Sequence, residues 1–170
     1  GITVPAGGNA IIVYETEVTD VAALDVDAGI TNTATARGGG LLEPLSDSAT
    51  VTTADAPLLT ITKALSPVAV PENGTLTYTF VIQNFGNTAA IATDDVVVTD
   101  NFDPILEKLT VTLDGTVLAE GTGYTYNAAT GAFSSAPSVI TVPAATFVRN
   151  ADGTIAVTPG EAVLTVSGTI

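Results

Sequence analysis

The chain has 170 residues, 46% of them apolar, which suffices for one large or two small domains with real cores. Its 18 acidic residues against 4 Lys and Arg leave a formal charge of −14, which argues against nucleic acid as a partner and disfavours adsorption to anionic lipid. The lack of Cys and His removes thiol nucleophiles, disulfides, the usual zinc ligand sets and every imidazole base.

There is no Met either, so the chain reads as a fragment or processed form with something removed before Gly1. No apolar run approaches the ~18 residues of a membrane span, and no basic-then-apolar signal segment is present, so membrane insertion is not expected. A composition of 29 Thr, 20 Val, 16 Gly and 9 Pro is that of pleated sheet punctuated by turns. In chain order, the turn Pro5-Ala6-Gly7-Gly8 opens a strand from Ile11 to Val18, and Ala54-Asp55-Ala56-Pro57 breaks the pattern and marks a boundary. Leu59, Ile61, Lys63 and Leu65 then alternate with Thr60, Thr62 and Ala64. After the turn Pro71-Glu72-Asn73-Gly74, Leu76, Tyr78, Phe80 and Ile82 share one face against Thr75, Thr77, Thr79 and Val81. Asp114-Gly115 is a hairpin turn, and Asn127 to Gly131 is a longer loop between Tyr126 and Phe133. A last turn, Pro159-Gly160, opens the strand Val163 to Ile170. Period two with turns at this spacing predicts an all-β fold of antiparallel sandwiches, with about ten to twelve strands and no long helix. Three similar turn-and-strand openings suggest related repeats.

The stretches Leu59-Thr60-Ile61-Thr62-Lys63, Pro71 to Thr79, Asn84-Phe85-Gly86-Asn87 and Val96-Val97-Val98-Thr99-Asp100 resemble the conserved-repeat family of bacterial cell-surface proteins, domain of unknown function 11. Ile30-Thr31-Asn32-Thr33-Ala34-Thr35-Ala36 and Ser48-Ala49-Thr50-Val51-Thr52 are similar to the last two strands of such a repeat. The resemblance implies an extracellular, immunoglobulin-like β-sandwich module on a Gram-positive bacterial surface. In that reading residues 1–54 are the closing strands of one repeat, incomplete alone, and residues 57–170 are a second repeat lacking its own closing strands. Open edges and uncovered apolar faces invite association, so either the first segment closes the second within one chain or neighbouring molecules complete each other. Non-closing head-to-tail contacts of the second kind propagate into a filament.

By the same alternation Lys63 points its ammonium at the core, Asn32 lies on the apolar side with Ile30, Ala34 and Ala36, and Asp100 shares a face with Val96 and Val98. An inward charge must be paired, neutralised or consumed. The three residues are similar to the triad of Gram-positive pilin and adhesin sandwiches, in which Lys and Asn form an intramolecular amide assisted by an acid. The resemblance thus implies an autocatalytic isopeptide bond between Lys63 and Asn32, with Asp100 as proton relay. The alternative is a Lys63 that snorkels from a strand end to a surface carboxylate.

Asp94, Asp95, Asp100, Asn101 and Asp103 cluster around one strand and its exit loop, as Asp25 and Asp27 flank another, which makes Asp94, Asp95 and Asp103 a weak calcium site against the default of solvated acidic loops. Otherwise no cofactor is expected. Tyr124, Tyr126 and Phe133 offer either a glycan platform or a hairpin packing its own aromatics. No GxSxG elbow, P-loop or metal-hydrolase motif occurs, and Glu107 with Glu120 shows no pairing beyond a surface pair, so an enzyme is not expected. The expected function is that of a secreted structural protein, the subunit of a pilus-like fibre (fimbrium) whose partners are other copies of itself. The alternative is a monomeric adhesin or ligand-binding spacer.

Overall fold

The structure, a computed structural model, describes residues 1–15, 29–52 and 54–170. It is an all-β, antiparallel sandwich with twelve strands among the described residues, and its one helical turn is the 3-10 segment Ala92–Asp94. Among the described residues no helix is long and apolar enough to cross a membrane.

The strands are β1 (Ile30–Ala36), β2 (Leu45–Val51), β3 (Leu59–Ser66), β4 (Thr75–Asn84), β5 (Thr99–Asn101), β6 (Glu107–Leu113), β7 (Thr116–Leu118), β8 (Tyr124–Asn127), β9 (Ala132–Ser135), β10 (Thr146–Arg149), β11 (Ile155–Thr158) and β12 (Gly160–Thr169). A large sheet runs β3-β4-β12-β6-β7 and a smaller one β5-β9-β8, while β1-β2 and β10-β11 are separate two-stranded ribbons.

The core forms where period-two apolar faces meet. On β4, Leu76, Tyr78, Phe80 and Ile82 are buried, and each has its partner on β12: Tyr78 lies opposite Val166, Phe80 opposite Leu164 and Ile82 opposite Ala162. Val111 of β6 extends the same layer beside Val166. From the small sheet and its connections come Val98, Phe102, Tyr124, Phe133, Ile140 and Val142, all buried. Phe102 joins the layers, stacking on Tyr78 with ring centroids 4.7 Å apart. Each such side chain contributes roughly 1.5–3 kcal/mol on leaving water. Hydroxyls line the outer face of the large sheet, where Thr77 bonds Ser167 across strands and Thr112 bonds Thr165.

Two polar side chains are buried among the described residues, Ser135, whose hydroxyl accepts from the Val98 amide, and Asn84 at the end of β4. Asn84, with no solvent exposure, accepts from the amides of Leu58 and Gly86 through Oδ1, each at 2.9 Å. Its Nδ2 donates to the carbonyls of Thr88 (2.8 Å) and Pro143 (3.0 Å). All its hydrogen-bonding capacity is used, and it thereby ties the start of β3, the corner after β4 and the approach to β12. Asn87 continues the clamp, accepting from the Ala56 amide and donating to Asp55, so the boundary segment is docked on this corner.

The turns at Pro5–Gly8, Pro71–Gly74, Asp114-Gly115 and Asn127–Gly131 form as expected. Asp114 and Gly115 have φ of 49° and 80°, the left-handed pair that suits a two-residue hairpin. Two expectations are corrected. Pro159-Gly160 is not a turn: β11 ends at Thr158 and β12 begins at Gly160, where the glycine is needed because a Cβ would collide with the Pro143 carbonyl. The strand expected from Ile11 to Val18 is absent over residues 11–15, which are exposed and have no ladder partner, and the rest of it lies outside the described residues.

The described residues of 1–54 do not close the sandwich of their own chain. Among the described residues β1 and β2 pair only with each other, Ile30 opposite Val51 through Ala36 opposite Leu45, and every residue of both strands is exposed. The ribbon is two-faced. Thr31 bonds Thr50 and Thr33 bonds Ser48 on one side, while Ile30, Ala34, Ala36, Leu45, Ala49 and Val51 share the other with Asn32 and Asp47. Its strands are joined through Arg37 and Gly38–Gly40, all three glycines at positive φ in open space.

Candidate functional site

β3 is an edge strand of the large sheet, and β5 is an edge strand of the small one. The alternation of β3 sends Lys63 inward beside Ile61, opposite Phe80 of β4. That of β5 and the residues before it sends Val98, Asp100 and Phe102 inward. Lys63 Nζ consequently meets Asp100 Oδ2 in an ion pair that bridges the two sheets. The lysine side chain is 41% exposed and the aspartate 17%. Lys63 therefore points inward as its alternation requires, but over an open side of the sandwich.

The floor under the ammonium is aromatic. Nζ stands 4.6 Å from the Tyr78 ring centroid and 5.7 Å from those of Phe80 and Phe102. Such faces attract a cation by about 0.5–2 kcal/mol according to how dry the contact is. Asp100 Oδ1 accepts from the Asn101 amide at 2.9 Å, whereas Oδ2 is buried and has no hydrogen-bond partner beyond the Lys63 ion pair. A cleft of about 340 Å³ opens over the pair, lined among others by Ile61, Phe80, Val97 and Val98. It presents the ion-paired Lys63 and Asp100 side chains on an aromatic floor, open on one side.

Of the three residues singled out for the isopeptide, the fold brings Lys63 and Asp100 together. Asn32 is elsewhere, on the exposed ribbon, where its Nδ2 donates to the Tyr14 hydroxyl. The sequence reading missed the roles of Tyr78, Phe102 and Tyr14. The position of Tyr78 one residue pair from Phe80 on an alternating strand was the available signal for the first.

Of the acidic residues weighed for calcium, Asp94 and Asp95 have side chains engaged locally. Asp94 accepts from the Ile91 amide at 2.8 Å, and Asp95 accepts from the Ser138 hydroxyl at 2.8 Å. Asp103 offers its backbone carbonyl to the Tyr78 hydroxyl. Among the described residues no three such side chains converge as a metal-ligating group, and Asp25 and Asp27 lie outside them. Tyr124 and Phe133 are buried and stacked 5.7 Å apart, and the Tyr126 hydroxyl bonds the Leu106 amide and carbonyl, so this hairpin packs its own aromatics. Burial, and then the nearby Glu120 carboxylate, raise the Tyr124 phenol above its usual range.

No family model, curated protein or solved structure matches the chain.

Proposed function

We propose that the chain is a structural subunit of a bacterial cell-surface fibre, in which the β1-β2 ribbon of one copy completes the open sandwich of the next. The observation that carries this reading is the coexistence, in one chain, of a cleft with an unsealed Lys63–Asp100 pair and an unpartnered amphipathic ribbon bearing Asn32. Exposed apolar faces and unpaired strand edges are costly unless covered, and each of these features covers the other. The resemblance of the strand motifs to the conserved-repeat family supports the surface location and the immunoglobulin-like character of the module.

Seating Asn32 in the cleft sets up an amide bond. Asp100 takes a proton from the Lys63 ammonium, and the neutral amine attacks the side-chain carbonyl carbon of Asn32. The new C–N bond forms as the C–NH₂ bond breaks, and the second amine proton leaves with the nitrogen as ammonia, relayed through Asp100. The joint is then covalent in a chain without disulfides.

Gel filtration, negative-stain microscopy and denaturing gels test the proposal together. The chain is expected to give filaments and an SDS-resistant ladder whose members lack one ammonia per joint by mass. Lys63→Ala and Asp100→Ala are expected to abolish the ladder and restore the full mass. A monomer of unmodified mass at every concentration overturns the fibre and leaves a spacer module.

A further inference from the structure

We infer that β1 of a second copy enters the cleft as an antiparallel neighbour of β5, with Asn32 directly across from Asp100. This rests on the fibre reading above and specifies its joint.

The first step is strand arithmetic. The large sheet has five strands and the small one three, so the small sheet is two strands short of covering its partner. The shortfall is on the β3 side, where Ile61 and Leu65 are 53% and 46% exposed despite sharing the inward face of Lys63. A two-stranded ribbon added at β5, which already faces β3 through the Lys63–Asp100 pair, brings its β1 over the exposed edge of β3. Added at β3 instead, it would lengthen the larger sheet and leave the apolar face of the ribbon bare.

Direction and register follow from parity. Every strand ladder of this fold is antiparallel, and purely antiparallel sheets are favoured over mixed ones. Side chains alternate with period two, so a slip of one residue would turn Thr31, Thr33 and Thr35 inward and expose Ile30. Allowed registers therefore differ by two residues. Asn32 across from Asp100 places Ala34 beside Val98 and Ile30 beside Phe102, small against branched and branched against aromatic. It also places the carboxamide beside the Lys63–Asp100 pair, which a shift of two in either direction does not. Charge enters the approach at one place: Ile30–Ala36 contains no charged side chain and the cleft's own two charges cancel, while Asp47 of β2, opposite Ala34, is the one charged residue on the inward face of the ribbon.

The absence of Cys makes the register readable by cross-linking. In the inferred pairing Thr33 faces Thr99, whereas Thr62 is the corresponding outward residue on β3, and all three are exposed. Thr33→Cys chains are mixed with Thr99→Cys or with Thr62→Cys chains, oxidised, and resolved on non-reducing gels, with assembly of the parent chain and of each variant followed by gel filtration. The expected result is a mixed disulfide at 33–99 favoured at least about tenfold over 33–62, the ratio that a preference near 1.4 kcal/mol gives. Assembly of the variants with 33–62 equal or dominant, or with neither disulfide, overturns the register and leaves the fibre standing. A parent chain that does not assemble overturns both.

Discussion

Asn84→Leu is expected to lower the stability of the sandwich by about 3–5 kcal/mol, although it replaces a polar side chain in the core by an apolar one of similar size. The reason is what the leucine would leave behind. Two amides, of Leu58 and Gly86, and two carbonyls, of Thr88 and Pro143, lose their partner at once. Each stranded buried group costs roughly 1–3 kcal/mol, and those nearest the surface recover part of it from water. Chemical denaturation of the variant beside the parent measures the loss. Asn84→Asp makes a sharper comparison, since it keeps both acceptor bonds but sets a carboxylate against two carbonyl oxygens. Folding then favours the protonated acid and raises its pKa. The variant should be closest to the parent below the ordinary carboxylate range, near pH 4, and fall behind as the pH rises through the raised value. A pH-independent penalty would mean that the aspartate has escaped to solvent.

Phe102→Ala is expected to cost about 3–5 kcal/mol, as large aromatic deletions in closed cores do. Phe102 is buried and touches rings in both layers: Tyr78 at 4.7 Å, Phe133 at 5.6 Å and Tyr126 at 6.2 Å between centroids. The cavity would lie between sheets that have few other aromatic bridges, and close under Lys63. Phe102→Leu should lose less stability and fold normally. Comparing its denaturation midpoint and its SDS-resistant ladder with those of the parent separates the ring's packing from its service as a floor for the amine. A ladder that forms at the parent's rate in Phe102→Leu would remove the second role.

Several strands and their buried faces were legible because these rest on local parity. The run Leu76, Tyr78, Phe80, Ile82 admits only one buried face, and the hydroxyls between them only one solvent face. The facing of Lys63 and Asp100 followed from the same rule, and their meeting across two sheets is its consequence. Other features depend on tertiary approach, which parity does not encode. Gly160 looked like half of a turn, but its lack of a side chain serves the close passage of Pro143. Ile11 to Tyr14 are a run of strand-forming residues, but a strand needs a neighbour, and among the described residues none forms a ladder with them. The ribbon β10-β11 was overlooked, although Asp152-Gly153 is a turn signal. Thr154 donates to Asp152 from both its side chain and its amide, holding that carboxyl below its ordinary range. As for Asn32, its face was readable from Ile30 and Ala34, but its distance from Lys63 was not, because nothing local couples a ribbon to a sandwich.

The link between β1 and β2 also decides how the protein would meet a trypsin-like protease. Such an enzyme needs Lys or Arg, and the chain offers four: Arg37, Lys63, Lys108 and Arg149. Lys63 is committed to a paired strand and an ion pair, whereas Arg37 is exposed and followed by three glycines in open space. Proteolysis concentrates at exposed tips of small residues, so the bond after Arg37 is the natural first cut. That cut parts β1 from β2 without touching the sandwich. A digestive environment would thus act on the connector before the module, and the survival of the joint would then rest on what grips β1 from outside its own chain.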